Sequence, residues 1–198
     1  MKNMRKHALL VGSMLLASGM IVSAQEVETP RVEFGLNYSF EHNNPGGNLP
    51  SYNANGGFGY AQYNFSRTFG LVADLGANHV GTADGLALQN TAFEYLFGPR
   101  FTWRHSRFSP YVQTLFGGER YSNGFFPGSS NPLFGASQNN FAMKFGGGID
   151  VTVTNHIAVQ PIQVDYALTE FSPGSGFANN ALNGVRYSAG VVFRLGSK

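Results

Sequence analysis

The sequence predicts an all-β fold: an eight-stranded antiparallel up-and-down transmembrane β-barrel. Three observations lead to this prediction. Eight segments alternate apolar and polar residues, long and short connections alternate between them, and no charged side chain falls in the middle of the apolar face of a segment. Period-two alternation is the signal of a strand with two different faces, and no sustained helical periodicity occurs after residue 25.

The first 24 residues are predicted to be a cleaved signal peptide, which leaves residues 25–198 as the barrel domain. An apolar run over residues 8–22 ends at the small residues Ser23 and Ala24. The basic residues Lys2, Arg5 and Lys6 precede it. This layout is typical of a secretory signal. An uncleaved membrane anchor is the alternative, because the run is only slightly shorter than a spanning helix.

The composition of residues 25–198 narrows the function classes. Of the 13 Lys and Arg residues, three lie in the first 24 positions, so 10 basic side chains remain against 11 acidic ones. This balance provides no basic stripe for nucleic acid. The chain has no cysteines, which excludes disulfides and thiolate metal sites. In the whole chain of 198 residues, few charges together with 26 Gly and 18 Phe are unusual for a soluble surface.

Eight strands of about nine to fourteen residues are predicted, longer than the five or six residues usual in globular sheets. A tilted strand that crosses a bilayer needs about 9–11 residues, so these lengths suit a membrane barrel. The predicted strands cover residues 31–41, 55–65, 69–78, 92–103, 108–121, 140–152, 157–170 and 185–195.

The connections between these strands alternate in length. The short turns are residues 66–68, 104–107 and 153–156, and the long connections, rich in Gly, Asn, Ser and Pro, are 42–54, 79–91, 122–138 and 171–184. Strict alternation places all long loops at one end of a meander, an asymmetry typical of membrane barrels. An apolar cluster in the third long loop is expected to form a contact site for a surface ligand or to fold over the barrel mouth. Its residues are Phe125, Phe126, Leu133 and Phe134.

The alternation alone does not determine which face of the barrel wall contacts water. A lipocalin-like soluble barrel would place the apolar face inside, whereas a membrane barrel would place it outside. The polar faces mix isolated charges with Gly and Ser, whereas a solvated face would be rich in Lys and Glu. Such a mixture suits the packed interior of an eight-stranded barrel. No charge falls in the middle of the apolar face, where Arg or Lys would cost about 2–4 kcal/mol at mid-bilayer. Strand parity predicts a lumen charge network of Glu33, Asp74, Glu94, Arg100, Glu119, Lys144, Asp150, Asp165, Arg186 and Arg194.

Two of these charges share one predicted strand. Lys144 and Asp150 are six residues apart, roughly 20 Å along an extended strand, so they are too distant to pair with each other. Each is therefore expected to find an opposite charge across the barrel. The expected partners are Glu94 or Glu119 for Lys144, and Arg194 or Arg100 for Asp150.

The second predicted strand breaks the alternation. Phe58 and Tyr60 lie in one phase, whereas Tyr63 and Phe65 lie in the other. An extra residue in a strand shifts the phase of everything that follows. A β-bulge is therefore expected between the two pairs.

The last predicted strand carries a polar residue, a glycine two positions later, and apolar residues at alternate positions: Ser188, Gly190, Phe193 and Leu195. This pattern resembles the C-terminal assembly signal of small eight-stranded outer-membrane barrels of the OmpA-transmembrane and OmpX type. The resemblance covers essentially residues 25–198. It implies a monomer in the bacterial outer membrane that contacts lipid and, during insertion, the barrel-assembly machinery. Family members usually end this strand on an aromatic residue, whereas Gly196 follows Leu195 here.

The predicted function is a structural or surface-contact role, with the lumen plugged by charged and polar side chains and with no cofactor or metal. A narrow ion or small-solute channel is the alternative. A lipid-modifying enzyme is less favoured. Glu41 and His42 resemble the Glu/His neighbourhood of barrel lipid A deacylases, but Asn43 follows where a nucleophilic serine would be needed. His79, His105 and His156 lie in separate loops or turns, which disfavours metal binding.

Overall fold

The computed structural model describes residues 29–45, 50–83, 86–126, 133–171 and 180–197, with side chains described for 29–45, 50–80, 91–122, 137–171 and 180–196. These residues form one closed barrel of eight strands. The strands are β1 (Pro30–Asn44), β2 (Tyr52–Asn64), β3 (Phe69–Ala83), β4 (Leu86–Thr102), β5 (Phe108–Phe126), β6 (Leu133–Thr152), β7 (Ile157–Glu170) and β8 (Ala181–Ser197). Within this described part, no helix is long and apolar enough to cross a membrane.

Every strand pairs antiparallel with its sequence neighbours, and β1 pairs with β8 to close the barrel. The closing register runs from Pro30 opposite Ser197 to Asn44 opposite Asn183. Closure leaves no strand edge with unpaired backbone groups, a requirement for any sheet that crosses hydrocarbon. The predicted eight-stranded up-and-down barrel is confirmed. We call the end with the short connections the turn end, and the opposite end the loop end.

The strands are longer than predicted, particularly at the loop end. β4 begins at Leu86 rather than at residue 92, and β6 begins at Leu133 rather than at residue 140. Much of the two connections predicted over 79–91 and 122–138 is therefore paired backbone. Ladder hydrogen bonds do not require apolar side chains, so a hairpin can continue past the point where the apolar alternation ends.

The two faces of the wall differ as the alternation predicts. In β1, Phe34, Leu36 and Tyr38 point outward with 43%, 60% and 61% of their surface exposed, whereas Glu33 and Ser39 face inward and are buried. In β6, Phe141 and Phe145 are exposed and Lys144 is buried. The outer surface is thus apolar and the inner surface polar, as in a protein whose solvent is lipid.

The expected bulge in β2 is wrong. The register of β2 is continuous against both β1 and β3, so its phase does not change. Phe58 and Tyr60 instead point into the lumen, where they are 5% and 3% exposed. Glycines on the neighbouring strands make room for them: a Cβ added to Gly35 would lie 2.0 Å from Tyr60 Cε1, and one added to Gly76 would lie 2.8 Å from Phe58 Cβ.

A phase change occurs in β7 instead. The pairing of β7 with β6 and with β8 shifts register around Pro161. Pro161 and Ile162 both face outward, and Gln160 and Gln163 on either side both face inward. Proline lacks the N–H that a ladder needs and is found in sheets at bulges. The bulge places two glutamine side chains in the lumen in succession.

Candidate functional site in the barrel lumen

The ten charged residues predicted to face inward all lie in the lumen, and none is more than 7% exposed. Glu41 and Arg104, each 6% exposed, join them. Among the described side chains, the buried charges are thus seven carboxylates and five cations. A buried charge is costly unless it is paired and hydrogen-bonded, so the partners decide what the lumen can do.

The turn end of the lumen contains a balanced group, the turn-end cluster of Glu33, Arg104, Arg194 and Asp150. Arg104 donates two hydrogen bonds to Glu33, from Nη1 at 3.1 Å and from Nη2 at 2.7 Å. Arg194 donates from Nε to Glu33 Oε1 at 3.0 Å, and its Nη2 lies 3.9 Å from Asp150 Oδ2. Two carboxylates thus face two guanidinium groups, and Glu33 is held from both sides.

Arg100 lies deeper and is neutralised differently. Its guanidinium is stacked between the rings of Tyr60 and Tyr111, with 4.3 Å from Cζ to each ring centroid. It donates to Gln113 Oε1 at 2.6 and 3.0 Å and to Gln62 Oε1 at 3.0 Å. No carboxylate among the described residues forms an ion pair with it. Ring faces and amide oxygens surround the cation here, and of the two arginines expected for Asp150, Arg194 is the one within 4 Å.

The central cluster is organised around Arg186, which is fully buried. Its guanidinium contacts Glu94 Oε1 at 2.6 Å and Asp165 Oδ2 at 2.9 Å, and it lies 3.6 Å from Asp74 Oδ2. The ring of Phe58 covers it, with 4.1 Å from Cζ to the centroid. One cation therefore serves three carboxylates, and neither oxygen of Asp74 has a hydrogen-bond partner among the described groups.

Lys144 connects the central cluster to the loop end. Its Nζ donates to Glu94 Oε2 and lies 3.8 Å from Glu41 Oε2. The contact with Glu94 joins Lys144 and Arg186 through one carboxylate. Of the two partners expected for Lys144, Glu94 is the one in contact.

The loop end contains a pair of carboxylates, Glu41 and Glu119, which we call the loop-end acid pair. Asn78 donates to Glu41 at 3.3 Å, and the hydroxyl of Thr169 donates to Glu119 Oε2. No cation of the described residues lies within ion-pairing distance of Glu119. Two of the seven carboxylates therefore have only neutral donors or a distant lysine for compensation.

Apolar side chains also fill the lumen. Phe58, Tyr60 and Val72 pack with other buried residues in an inner cluster; its remaining members are Leu96, Leu115, Ala142, Ala158 and Val192. A second cluster lies beyond the loop-end acid pair and contains Ala92, Tyr121, Phe171 and Leu182, with Tyr52 packed against it. Apolar as well as charged side chains therefore lie buried on the inner face of the barrel.

Glu41 and His42 lie on opposite sides of the barrel wall. Glu41 is buried in the lumen, whereas His42 is exposed and its Nδ1 lies 2.7 Å from Asn53 Oδ1. Adjacent residues on a strand point to opposite faces, so these two side chains do not form a catalytic pair. Among the residues that the structure describes, no group of three or more His, Asp or Glu side chains is arranged to hold a metal ion.

The residues of the predicted assembly signal divide between the two faces of β8. Ser188 is buried on the lumen side, whereas Phe193 and Leu195 are 42% and 51% exposed on the outer side. Gly190 lies at the seam with β1, where an added Cβ would be 2.0 Å from the carbonyl oxygen of Leu36. Close approach of the two closing strands thus requires a glycine there.

Two predictions fall outside the described part of the structure. The predicted signal peptide, residues 1–24, falls within residues 1–28, which are not described. The side chains of Phe125, Phe126, Leu133 and Phe134 are likewise outside it, although their backbone belongs to the ends of β5 and β6.

Several lumen residues escaped the sequence reasoning. Arg104 continues the inward parity of Arg100 and Thr102 past the predicted end of its strand, and Glu41 continues that of Asn37 and Ser39. If the alternation of inward and outward side chains had been followed to these strand ends, both residues would have been assigned to the lumen. Phe58 and Tyr60 carried no such signal, because apolar side chains in a membrane strand are expected to face lipid.

The comparisons with known proteins agree with this geometry. The chain matches the family model of the outer membrane protein beta-barrel domain over residues 12–194. It belongs to that family. It is therefore a protein of the bacterial outer membrane.

Two solved structures show the same fold. Neisserial surface protein A is 13% identical with a TM-score of 0.62, over 83% of this chain and 97% of that chain. Ail of Yersinia pestis, in complex with the heparin analogue sucrose octasulfate, is 13% identical with a TM-score of 0.53, over 84% of this chain and 99% of that chain. A comparison with curated protein sequences gives no match.

Proposed function

We propose that this protein is a closed, non-enzymatic outer-membrane barrel, monomeric in the membrane, whose role is structural or surface contact. The observation that carries the proposal is the burial of twelve charged side chains and an inner apolar cluster on the inner face of the strands. An open path would have to separate Arg186 from three carboxylates at once. Such separation leaves buried charges without partners, at a cost of several kcal/mol.

Conductance in planar bilayers tests the closed lumen. The wild-type protein is expected to give no stable current, and so are the variants Lys144→Ala and Arg100→Ala, because neighbouring side chains still fill the lumen. Steady channels from the wild type, with altered conductance in Lys144→Ala, would support the narrow-channel alternative instead.

The long connections are proposed to carry the surface-contact role. Residues 42–54, 79–91, 122–138 and 171–184 contain no Lys or Arg. Ail was crystallised with a sulfated heparin analogue, but connections without Lys or Arg supply no cations that would pair with a polyanion. We therefore propose an uncharged partner surface that contacts the predicted cluster of Phe125, Phe126, Leu133 and Phe134.

Two measurements test the loop proposal. Chymotrypsin added to intact cells should cleave within residues 122–138, and replacing Phe125 and Phe126 with serine should remove cleavage after those positions. The purified barrel should pass through a heparin column at physiological salt. Retention on heparin, or resistance of the loop to chymotrypsin in intact cells, would contradict the proposed contact surface.

We propose that the barrel-assembly machinery reads β8 through Phe193 and Leu195, which point outward together on the closing strand. Replacing both with serine should lower the amount of folded barrel in cells while leaving refolding into detergent far less affected. Gly190→Ala serves as a contrast, because its clash with the Leu36 carbonyl should impair both. Equal loss in both settings for the serine variant would contradict a recognition role.

The absence of an enzymatic activity is also proposed, on the opposed orientations of Glu41 and His42. Lipid A incubated with the purified protein should remain unmodified. Turnover that is lost in His42→Ala would overturn this part of the proposal.

A further inference from the structure

We propose that Arg67 and Arg107, beside Trp103 at the turn end of the barrel, bind the headgroup of an anionic phospholipid. We call these three residues the turn-end arginine site. The site goes beyond the structural role and depends on the membrane location of the barrel, not on the closed lumen. Three features lead to it: the charge of the turns, the lack of carboxylate partners, and the position of the arginines at the edge of the lipid-facing wall.

The connections at the two ends of the barrel differ in charge. The three short turns contain Arg67, Arg104 and Arg107 but no Asp or Glu, whereas the four long connections contain no Lys or Arg. Among the described side chains, the only exposed carboxylate is that of Glu170, at the loop end. Positive charge is thus concentrated at the turn end, where a negatively charged partner would be attracted.

The two arginines belong to different turns but meet at one of them. Arg67, between β2 and β3, donates from Nη2 to the carbonyl oxygen of Arg104 at 3.2 Å. Arg107 ends the same turn that Arg104 begins. The backbone also joins the two turns, because the N–H of Thr102 donates to the carbonyl oxygen of Thr68 at 2.8 Å. The guanidinium of Arg67 therefore reaches the turn that carries Arg107.

The charges of Arg67 and Arg107 are not compensated by protein groups that the structure describes. Both side chains are exposed, and neither forms an ion pair with a described carboxylate. Arg104 in the same turn differs, since it is buried and donates to Glu33 at 2.7 Å. A guanidinium group forms charge-assisted hydrogen bonds with phosphate oxygens, often two at once. The two exposed guanidinium groups are therefore suited to a phosphate-containing headgroup.

The position of the site favours a lipid over other polyanions. Trp103, Phe101 and Phe108 are exposed on the outer side of the wall, and the Cζ atom of Arg107 lies 5.9 Å from the ring centroid of Phe108. Aromatic residues at the ends of membrane strands lie at the level of the lipid headgroups. Arginines at that level contact headgroups from the side, whereas a polymer such as peptidoglycan would contact the barrel from below the turns. An anionic phospholipid is therefore the partner that fits.

The fluorescence of Trp103 tests the site, because it is the one tryptophan of the chain. The folded barrel is reconstituted into bilayers that mix phosphatidylglycerol with phosphatidylcholine, one of which carries bromine near the headgroup end of its acyl chains. Brominated phosphatidylglycerol should quench Trp103 more than brominated phosphatidylcholine at the same fraction. Each arginine should contribute about a fivefold preference for the anionic lipid. High salt should reduce that preference, because exposed charges are screened.

Matched variants locate the preference. Replacing both Arg67 and Arg107 with glutamine should make the two brominated lipids quench equally, and each single glutamine variant should lose about fivefold in preference. Arg107→Lys should keep most of the preference, because the charge remains. Arg120→Gln removes an exposed arginine at the loop end and should behave as the wild type does. A shift in gel mobility on boiling verifies that each variant is folded.

Three results would overturn the proposal. The first is equal quenching of the wild type by the two brominated lipids. The second is an unchanged preference in a folded Arg67→Gln or Arg107→Gln variant, and the third is an equal loss of preference in Arg120→Gln. Sedimentation of the wild type with purified peptidoglycan, lost in the double variant and accompanied by no lipid preference, would assign the arginines to the cell wall instead.

Discussion

The two ends of the lumen hold buried charge in opposite ways. At the turn end, Glu33 lies between Arg104 and Arg194 with hydrogen bonds of 2.7–3.1 Å, and Asp150 is also close to Arg194. At the loop end, Glu41 and Glu119 have neutral donors and one lysine at 3.8 Å. Among the described residues, the turn end pairs its carboxylates with guanidinium groups, whereas the loop end depends mainly on neutral donors. Buried carboxylates in one barrel are thus compensated in two different ways, by guanidinium groups and by neutral hydrogen-bond donors.

The largest loss of stability is expected from substitution of Arg186, whose guanidinium group lies near three carboxylates. Arg186→Met should destabilise the barrel by about 3–5 kcal/mol, because it leaves Asp74, Glu94 and Asp165 buried with Lys144 as the remaining cation. Reversible urea unfolding of the barrel in lipid vesicles measures the loss. Arg186→Lys should lower the unfolding free energy less than Arg186→Met, because lysine keeps the positive charge although it lacks the planar guanidinium group. A Met variant as stable as the wild type would show that this network contributes nothing to stability.

The second-largest loss of stability is expected in the turn-end cluster, where two carboxylates face two guanidinium groups. Glu33→Gln should cost about 2–3 kcal/mol, because Arg104 and Arg194 lose the charged acceptor that both of them use. Unfolding in urea at neutral pH again provides the measurement. Arg104→Met should cost less than Glu33→Gln, since Glu33 keeps Arg194 and the amide of Asn64 at 3.1 Å. The reverse order would contradict the arrangement in which one acid is held by two cations.

A steric test concerns the layer between the two ends, where Tyr60 stacks on Arg100. Gly35→Ala should destabilise the barrel by about 1–3 kcal/mol, because the new methyl group would overlap the Tyr60 ring. Gly59→Ala on the outer face is the matched control, since its Cβ would meet the flexible end of Leu36 at 3.3 Å and the Gly35 carbonyl oxygen at an ordinary contact distance of 3.6 Å. Equal unfolding free energies for the two variants would place Tyr60 outside the lumen.

The smallest effect on stability is expected at the loop end. Glu119→Gln should leave the unfolding free energy unchanged or raise it by up to about 1 kcal/mol, since it removes a repulsive charge without breaking an ion pair. The measurement is again urea unfolding of the barrel in lipid vesicles. Marked destabilisation would make Glu119 equivalent to Glu33 and remove the difference between the two ends.

The sequence predicted what period-two alternation can encode and little of what depends on distant contacts. Inward parity located Lys144 and Asp150 because every strand must choose one face for charge. The orientation of Phe58 and Tyr60 depends instead on Arg186 and Arg100, which are far away in sequence, and on glycines in the neighbouring strands. Aromatic residues fit either face of such a barrel, so only the completed lumen decides their direction.

The sequence predicted an inward orientation for only one member of the loop-end acid pair. Glu119 was assigned inward by parity, whereas Glu41 stood at the predicted end of its strand and was considered beside His42. Their shared cavity depends on the registers around the barrel, and those registers include a bulge at Pro161 that alternation did not locate. Pairing between distant strands therefore determines which charges meet.

The central claim, a closed and filled lumen, is tested most directly by chemical labelling of single cysteines, because the chain has none of its own. Ser188→Cys replaces a buried lumen hydroxyl, and Asn155→Cys lies on an exposed turn. A charged maleimide should label Asn155→Cys in the folded barrel, but should label Ser188→Cys only after the barrel is unfolded by boiling. Labelling of folded Ser188→Cys as fast as Asn155→Cys would contradict a filled lumen.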